Sequence, residues 1–221
     1  MARTSTTLPR VKHAYTNEVR RLAGTSMNQL ERTRLSPNAL TAAGVGLSVL
    51  AAVVVYFENS GWWLYWLAAL LFVVGSLLDI LDGALARSRG TGTAFGAFID
   101  STVDRIGEGF MLGAIGLVLM RDGIEWGLAL AFAAVVGSFL VSYTRARAES
   151  LGLAGDVGIG SRAERVVVIT GGLVLAPIHE LVLPSSLALL TLTAWVTVVQ
   201  RVVFVHRQLY RRYELDRTDG A

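Results

Sequence analysis

The chain contains no cysteine, which excludes disulfides and thiolate metal sites. It has no internal repeat and no low-complexity tract. The first 36 residues are polar and basic, and no apolar core with an A-x-A-like cleavage site precedes the first long apolar run, so no secretory signal is expected. Charge is scarce over long stretches: charged residues are 17% of the 221, against 53% hydrophobic. Mean hydropathy is +0.52. The long uncharged runs use most of the chain and leave no soluble domain of useful size. They indicate an integral membrane protein.

The expected fold is all-α, with six transmembrane helices and an N-terminal amphipathic interfacial helix. The spans fall at roughly 37–57, 62–86, 94–120, 124–147, 163–179 and 183–206. This divides the chain into a cytoplasmic N-terminal segment (1–36), a six-helix membrane domain (37–206) and a polar cytoplasmic tail (207–221). Within 11–23, Val11, Tyr15, Val19 and Leu22 share one helical face while Lys12, Arg20 and Arg21 lie elsewhere, as in a helix lying on a membrane surface. A disordered basic tail is the plainer alternative. Ser36 and Pro37 suit the N-cap and N1 of the first span. The short loop Gly90-Thr91-Gly92-Thr93 should make spans two and three antiparallel neighbours. A Gly-rich loop, Gly152 to Ser161, separates spans four and five.

The net charge of +3 says less than its distribution. With six spans, the basic clusters at Arg3 to Arg34, Arg87 and Arg89, Arg145 to Arg165, and Arg201 to Arg217 all fall on one side, and Arg121 alone on the other. The positive-inside rule then puts both termini and the ends of the spans near Arg87 in the cytoplasm of a multi-pass cell-membrane protein. Trp62, Trp63, Trp66 and Trp126 suit an aromatic belt at the opposite face. Topology and anionic lipid account for the basic surface, so no nucleic-acid partner is expected.

Four aspartates interrupt the apolar pattern. Asp79 and Asp82 are three apart and share a helical face near the cytoplasmic end of span two; Asp100 and Asp104, four apart, do the same on span three. A carboxylate in a membrane span is costly and marks a functional site. Arg87 and Arg105 alone cannot neutralise four of them within this stretch. Hard divalent cations can, and Mg²⁺ favours carboxylate oxygen together with substrate phosphate. Gly83 and Gly96 let a backbone or a ligand approach closely, and Arg87, one turn past Gly83, can hold a phosphate as a bidentate donor. The plain alternative is a set of structural aspartates paired with Arg87 and Arg105.

The pattern D-x2-D-G-x2-A-R-x8-G-x3-D-x3-D fixes Asp79, Asp82, Gly83, Ala86, Arg87, Gly96, Asp100 and Asp104. At ordinary residue frequencies of about 5–8%, a chance match in a chain this size is on the order of one in ten million. The pattern resembles the signature of the CDP-alcohol phosphotransferase family, and the resemblance extends to the six-span layout and the interfacial helix. It implies transfer of a phosphatidyl or archaetidyl group from CDP-diacylglycerol or CDP-archaeol to an alcohol, with release of CMP. It further implies two Mg²⁺ per active site, with Mn²⁺ able to substitute, held by Asp79, Asp82, Asp100 and Asp104. Asp104 would also be the general base. Gly83 and Arg87 would hold the CDP moiety, completed by Asn38, Ala39, Leu40, Thr41 and Thr93. A homodimer is implied as well. Independently of the resemblance, two metals can neutralise a pyrophosphate and stabilise a leaving CMP, and a metal-bound carboxylate beside a hydroxyl can take its proton.

On the acceptor side, span four ends in S-Y-T-R-A-R-A-E, span five begins S-R-A-E-R, and Arg201 sits inside the apolar stretch T-V-V-Q-R-V-V-F-V. Positive-inside anchoring with snorkelling side chains is one reading. The other is an anion pocket. These stretches resemble the branch of the family that uses inositol phosphate, which points to Arg145, Arg165 and Arg201 as holders of the acceptor phosphate, with no carboxylate partner of their own. Two alternatives stand beside this reading. One is glycerol 3-phosphate as acceptor, giving phosphatidylglycerol phosphate. The other is a divalent-cation channel or transporter using the aspartates as an ion site, against which Arg87 and Gly83 in the same cluster argue.

Overall fold

A computed structural model describes residues 36–219, and every described regular element is helical. The expected interfacial helix at 11–23 lies outside the described residues. The long helices are α1 (Pro37–Tyr56), α2 (Trp63–Ser88), α3 (Ala94–Arg121), α4 (Gly127–Ser150), α5 (Arg162–Leu175) and α6 (Val182–Asp219). Each start at the aspartate end has a chemical cause. Ser36 caps α1 through a bond from the Ala39 amide, with Pro37 just inside. Thr93 accepts from the Gly96 amide at 2.9 Å to begin α3. Ser161 and Glu164 form a capping box at the start of α5.

Two ends differ from expectation. α5 stops at Leu175 and gives way to a single 3₁₀ turn, Ala176–Ile178, because Pro177 cannot extend the α-helical ladder. α6 runs on to Asp219 rather than ending near 206, since after Pro184 in its first turn no glycine or proline occurs before Gly220. The polar tail therefore continues the last helix.

By length and composition, α1, α2, α4 and the Val182–Glu214 part of α6 can cross a membrane. α3 falls short because Asp100, Asp104, Arg105 and Glu108 crowd its first half, and α5 because its 14 residues rise only about 21 Å. Leu70, Phe132, Val167 and Leu192 are exposed on the outer surface, the apolar exterior of a multi-pass membrane protein.

Packing rests on small residues where helices cross. A Cβ on Gly75 would stand 2.6 Å from the Gly44 carbonyl oxygen and 2.8 Å from Ser48 Oγ; one on Gly107 would stand 2.9 Å from Ser48 Cβ. Ser48 of α1 is thus wedged between α2 and α3, and α1 packs closely against both. α2 and α3 themselves barely touch, so the expectation that the 90–93 loop makes them neighbours is corrected. Their facing surfaces carry carboxylates, which give no packing surface, whereas glycines bring each of them onto α1. α4 packs on α3 and α6, and α5 on α2 and α6. The apolar core, including Met111, Leu112, Val118, Leu173 and Leu190, fills the half of the bundle away from the aspartates.

Candidate active site

The gap between α2 and α3 gathers the acidic residues. Asp79 and Asp82 are buried and Asp100 is half-buried. One carboxylate oxygen of each lies within 4.8 Å of the others. Asp104 follows one turn beyond Asp100. The Thr41 hydroxyl of α1 donates to Asp82 Oδ2, so the third helix of the crossing also reaches the cluster. Hard oxygens converging from two helices fit a divalent cation such as Mg²⁺ or Mn²⁺.

A cation already sits among them. Arg162, the first residue of α5, donates from Nη1 to Asp79 Oδ2 and places Nη2 2.5 Å from Asp104 Oδ1. That oxygen is buried and accepts no aligned hydrogen bond, so this second contact is an ion pair by distance alone. Arg105 turns instead to the Ser101 carbonyl. Arg87 is exposed at the mouth, with Nη1 3.4 Å from where a Gly83 Cβ would stand. Neither forms an ion pair with the aspartates, which removes the plain alternative of structural pairing with those two arginines.

The residues expected around a nucleotide divide. Thr41 touches the cluster directly, and Gly83 and Arg87 form its rim. Asn38 and Thr93 are exposed at helix starts, Ala39 is held in the Ser36 cap, and the Leu40 side chain is buried in the protein. The Leu40 amide donates to the Ser36 carbonyl at 3.3 Å.

The three acceptor arginines stand in different surroundings. Arg201 is buried, donates to the Val141 and Val157 carbonyls, and leaves Nε without a partner. Among the described residues it forms no ion pair. Arg165 does have a carboxylate: Nε and Nη2 lie 2.6 and 3.0 Å from the two oxygens of Glu108, while Nη1 donates to the Gly160 carbonyl at 2.9 Å. Ser138 donates to the same carboxylate. Arg145 pairs with Glu149 one turn on, at 2.9 Å. The expectation of three unpartnered guanidinium groups is corrected, since a buried cation is costly without a counter-charge and Glu108 supplies one.

Sequence reasoning missed Arg162 and Glu108. Glu108 lies four residues after Asp104 in an apolar helix, and the argument applied to the aspartates covers it equally. Arg162 stands beside Arg165 in S-R-A-E-R, with no local sign of which partner it meets. A small cleft, with room for little more than a water molecule, lies beside the aspartates, lined by Ser48, Ser76, Asp79, Asp104, Glu108 and Arg162 among others.

Comparison with known proteins places this geometry. The family model described as CDP-alcohol phosphatidyltransferase matches residues 34–205. An archaetidylinositol phosphate synthase of Pyrococcus horikoshii is 35% identical, over 79% of this chain and 86% of its own. A phosphatidylinositol phosphate synthase of Cutibacterium acnes is 39% identical, over 80% and 89%. The crystal structure of Mycobacterium tuberculosis phosphatidylinositol phosphate synthase with CDP-DAG bound is similar with a TM-score of 0.73 at 30% identity, covering 84% of this chain and 94% of that one. The same enzyme in complex with manganese and citrate gives a TM-score of 0.71.

Proposed function

The chain belongs to the CDP-alcohol phosphatidyltransferase family, and on that premise we propose that it moves a phosphatidyl or archaetidyl group from a CDP-linked lipid to inositol phosphate, releasing CMP. The observation that carries the reading is the meeting of Asp79, Asp82 and Asp100 oxygens within 4.8 Å, from two helices that otherwise hardly touch. Membership of an enzyme family removes the channel or transporter alternative. The names of relatives at 35% and 39% identity favour inositol phosphate over glycerol 3-phosphate.

In the reaction the acceptor hydroxyl oxygen forms a bond to the lipid-linked phosphorus. The bond from that phosphorus to the bridging oxygen breaks, and CMP leaves with the electron pair. Asp104, a fourth carboxylate at the edge of the Asp79, Asp82 and Asp100 trio, takes the hydroxyl proton. Two divalent cations held by Asp79, Asp82, Asp100 and Asp104 would neutralise the pyrophosphate and the leaving CMP. Manganese in a solved relative supports the use of Mn²⁺ beside Mg²⁺. Arg87 holds a phosphate at the mouth, and Gly83 keeps space for it. Asn38, Ala39, Leu40, Thr41 and Thr93 line the nucleotide side. Arg145, Arg165 and Arg201 form the acceptor side. Arg201 carries this assignment best, as a buried cation with only carbonyl partners. The site faces the cytoplasm by the positive-inside rule, with α3 and α5 completing six spans around it. The N-terminal segment lies on the membrane surface, and the protein acts as a homodimer, as the family resemblance implies.

The test is CMP release from CDP-diacylglycerol and inositol phosphate in the presence of Mg²⁺ or Mn²⁺. Excess EDTA and Asp100→Asn should each abolish it. Full turnover in EDTA would sink the metal-dependent reading.

A further inference from the structure

α2 and α3 hold the aspartates yet hardly touch, and one side chain from a third helix joins them. Arg162 reaches Asp79 on α2 with Nη1 and Asp104 on α3 with Nη2. Its planar fork suits two separate carboxylates in a way an ammonium does not. Three residues on, Arg165 meets Glu108, which lies four residues beyond Asp104. The first turn of α5 therefore grips α3 with two arginines at helical spacing, against two carboxylates at helical spacing.

The two grips are unlike. The Arg165 side chain is 7% exposed, and its partners Glu108 and Gly160, together with Ser138 behind Glu108, complete a closed network. Withdrawing it would strand a buried carboxylate. The Arg162 side chain is 37% exposed, and one of its two acid contacts lacks an aligned hydrogen bond. The inner grip anchors α5, and the outer one is free to open toward solvent.

We propose that Arg162 is an internal counter-cation that holds Asp79 and Asp104 and must yield them when a divalent cation binds. This rests on the reading of the aspartates as metal ligands. A guanidinium and a divalent cation compete for the same oxygen lone pairs and repel each other at that distance. The Arg165–Glu108 pair and the Ser161–Glu164 capping box keep the start of α5 in place while the Arg162 side chain moves. Arg162 is then a positioning residue: it sets metal affinity without being a ligand.

The experiment is Mn²⁺ titration followed by electron paramagnetic resonance, on the full chain in nanodiscs. Wild type, Arg162→Gln, Arg162→Lys and Asp100→Asn are compared, with thermal unfolding of each. Arg162→Gln should bind Mn²⁺ about tenfold or more tighter than wild type. Arg162→Lys should fall between them, since it keeps the charge and loses the fork. Without metal, Arg162→Gln should unfold at a lower temperature than wild type, and saturating Mn²⁺ should erase the difference. A merely structural role would leave the difference in place. Equal or weaker Mn²⁺ affinity in Arg162→Gln overturns the proposal. If Arg162→Gln does not fold, Arg162→Lys decides: tighter binding than wild type supports the proposal and equal binding overturns it. Failure of the underlying reading looks different, because Asp100→Asn would then bind Mn²⁺ as wild type does.

Discussion

Arg201 is the residue whose energetics speak most directly about substrate. A buried guanidinium usually has a carboxylate, and this one has two carbonyl oxygens and an Nε with no partner. Its neighbours in charge are Arg145 and Arg165, each paired with a glutamate, together with Glu149 and Asp156, none of which forms an ion pair with it. An acceptor phosphate would supply the missing negative charge. Arg201→Ala should therefore raise KM for inositol phosphate by about ten- to a hundredfold, the value of one lost charge-assisted contact of roughly 1.5–3 kcal/mol. KM for the CDP-lipid should change little. Equal rises in both constants would mean that Arg201 supports the fold through Val141 and Val157 and not the acceptor. At this scale the aspartates were legible in the sequence, because their helical spacing is local. Arg162 was not, because its partner Asp79 lies 83 residues away and no local pattern pairs them.

Among the helices, the crossing of α1 with α2 and α3 decides whether the site assembles. Gly44, Gly75 and Gly107 remove side chains at the points where Ser48 and the backbones meet, and the aspartates sit on the same two helices beyond that crossing. Gly75→Leu forces a side chain against the Gly44 carbonyl, which is backbone and cannot rotate away. Overpacking of this kind costs about 1–3 kcal/mol. The variant should unfold at a lower temperature and lose Mn²⁺ affinity together, since spreading α1 from α2 also moves Thr41 from Asp82. A stable variant with unchanged metal binding would show that the crossing does not position the site. The existence of these helices was legible from apolar runs, and so were their caps at Ser36 and Pro37. Their neighbours were not. Loop length suggested α2 beside α3, whereas small residues and repelling carboxylates put α1 between their interests. The early end of α5 was written in Pro177 and went unread, since the apolar pattern continues past it.

Taken whole, the molecule sets a cluster of carboxylates at one end of a bundle whose middle and exterior are apolar. The far end is tied separately: Arg121 donates to the Tyr56 carbonyl at 2.7 Å and pairs with Glu58. Burial raises the Glu58 carboxyl above its ordinary range, with Arg121 opposing the shift. The α1–α2 and α3–α4 connections are thereby joined at the end across from the aspartates. A polar site at one end of an apolar bundle suits a reaction between a membrane-embedded lipid and a soluble, charged acceptor. The central claim is the identity of that reaction, and an acceptor panel tests it most directly. The purified chain would receive CDP-diacylglycerol and Mg²⁺ with inositol 1-phosphate, inositol, glycerol 3-phosphate or serine, and CMP would be measured. The account predicts CMP release with inositol 1-phosphate well above the other three. Release with inositol or serine equal to that with inositol 1-phosphate would contradict it.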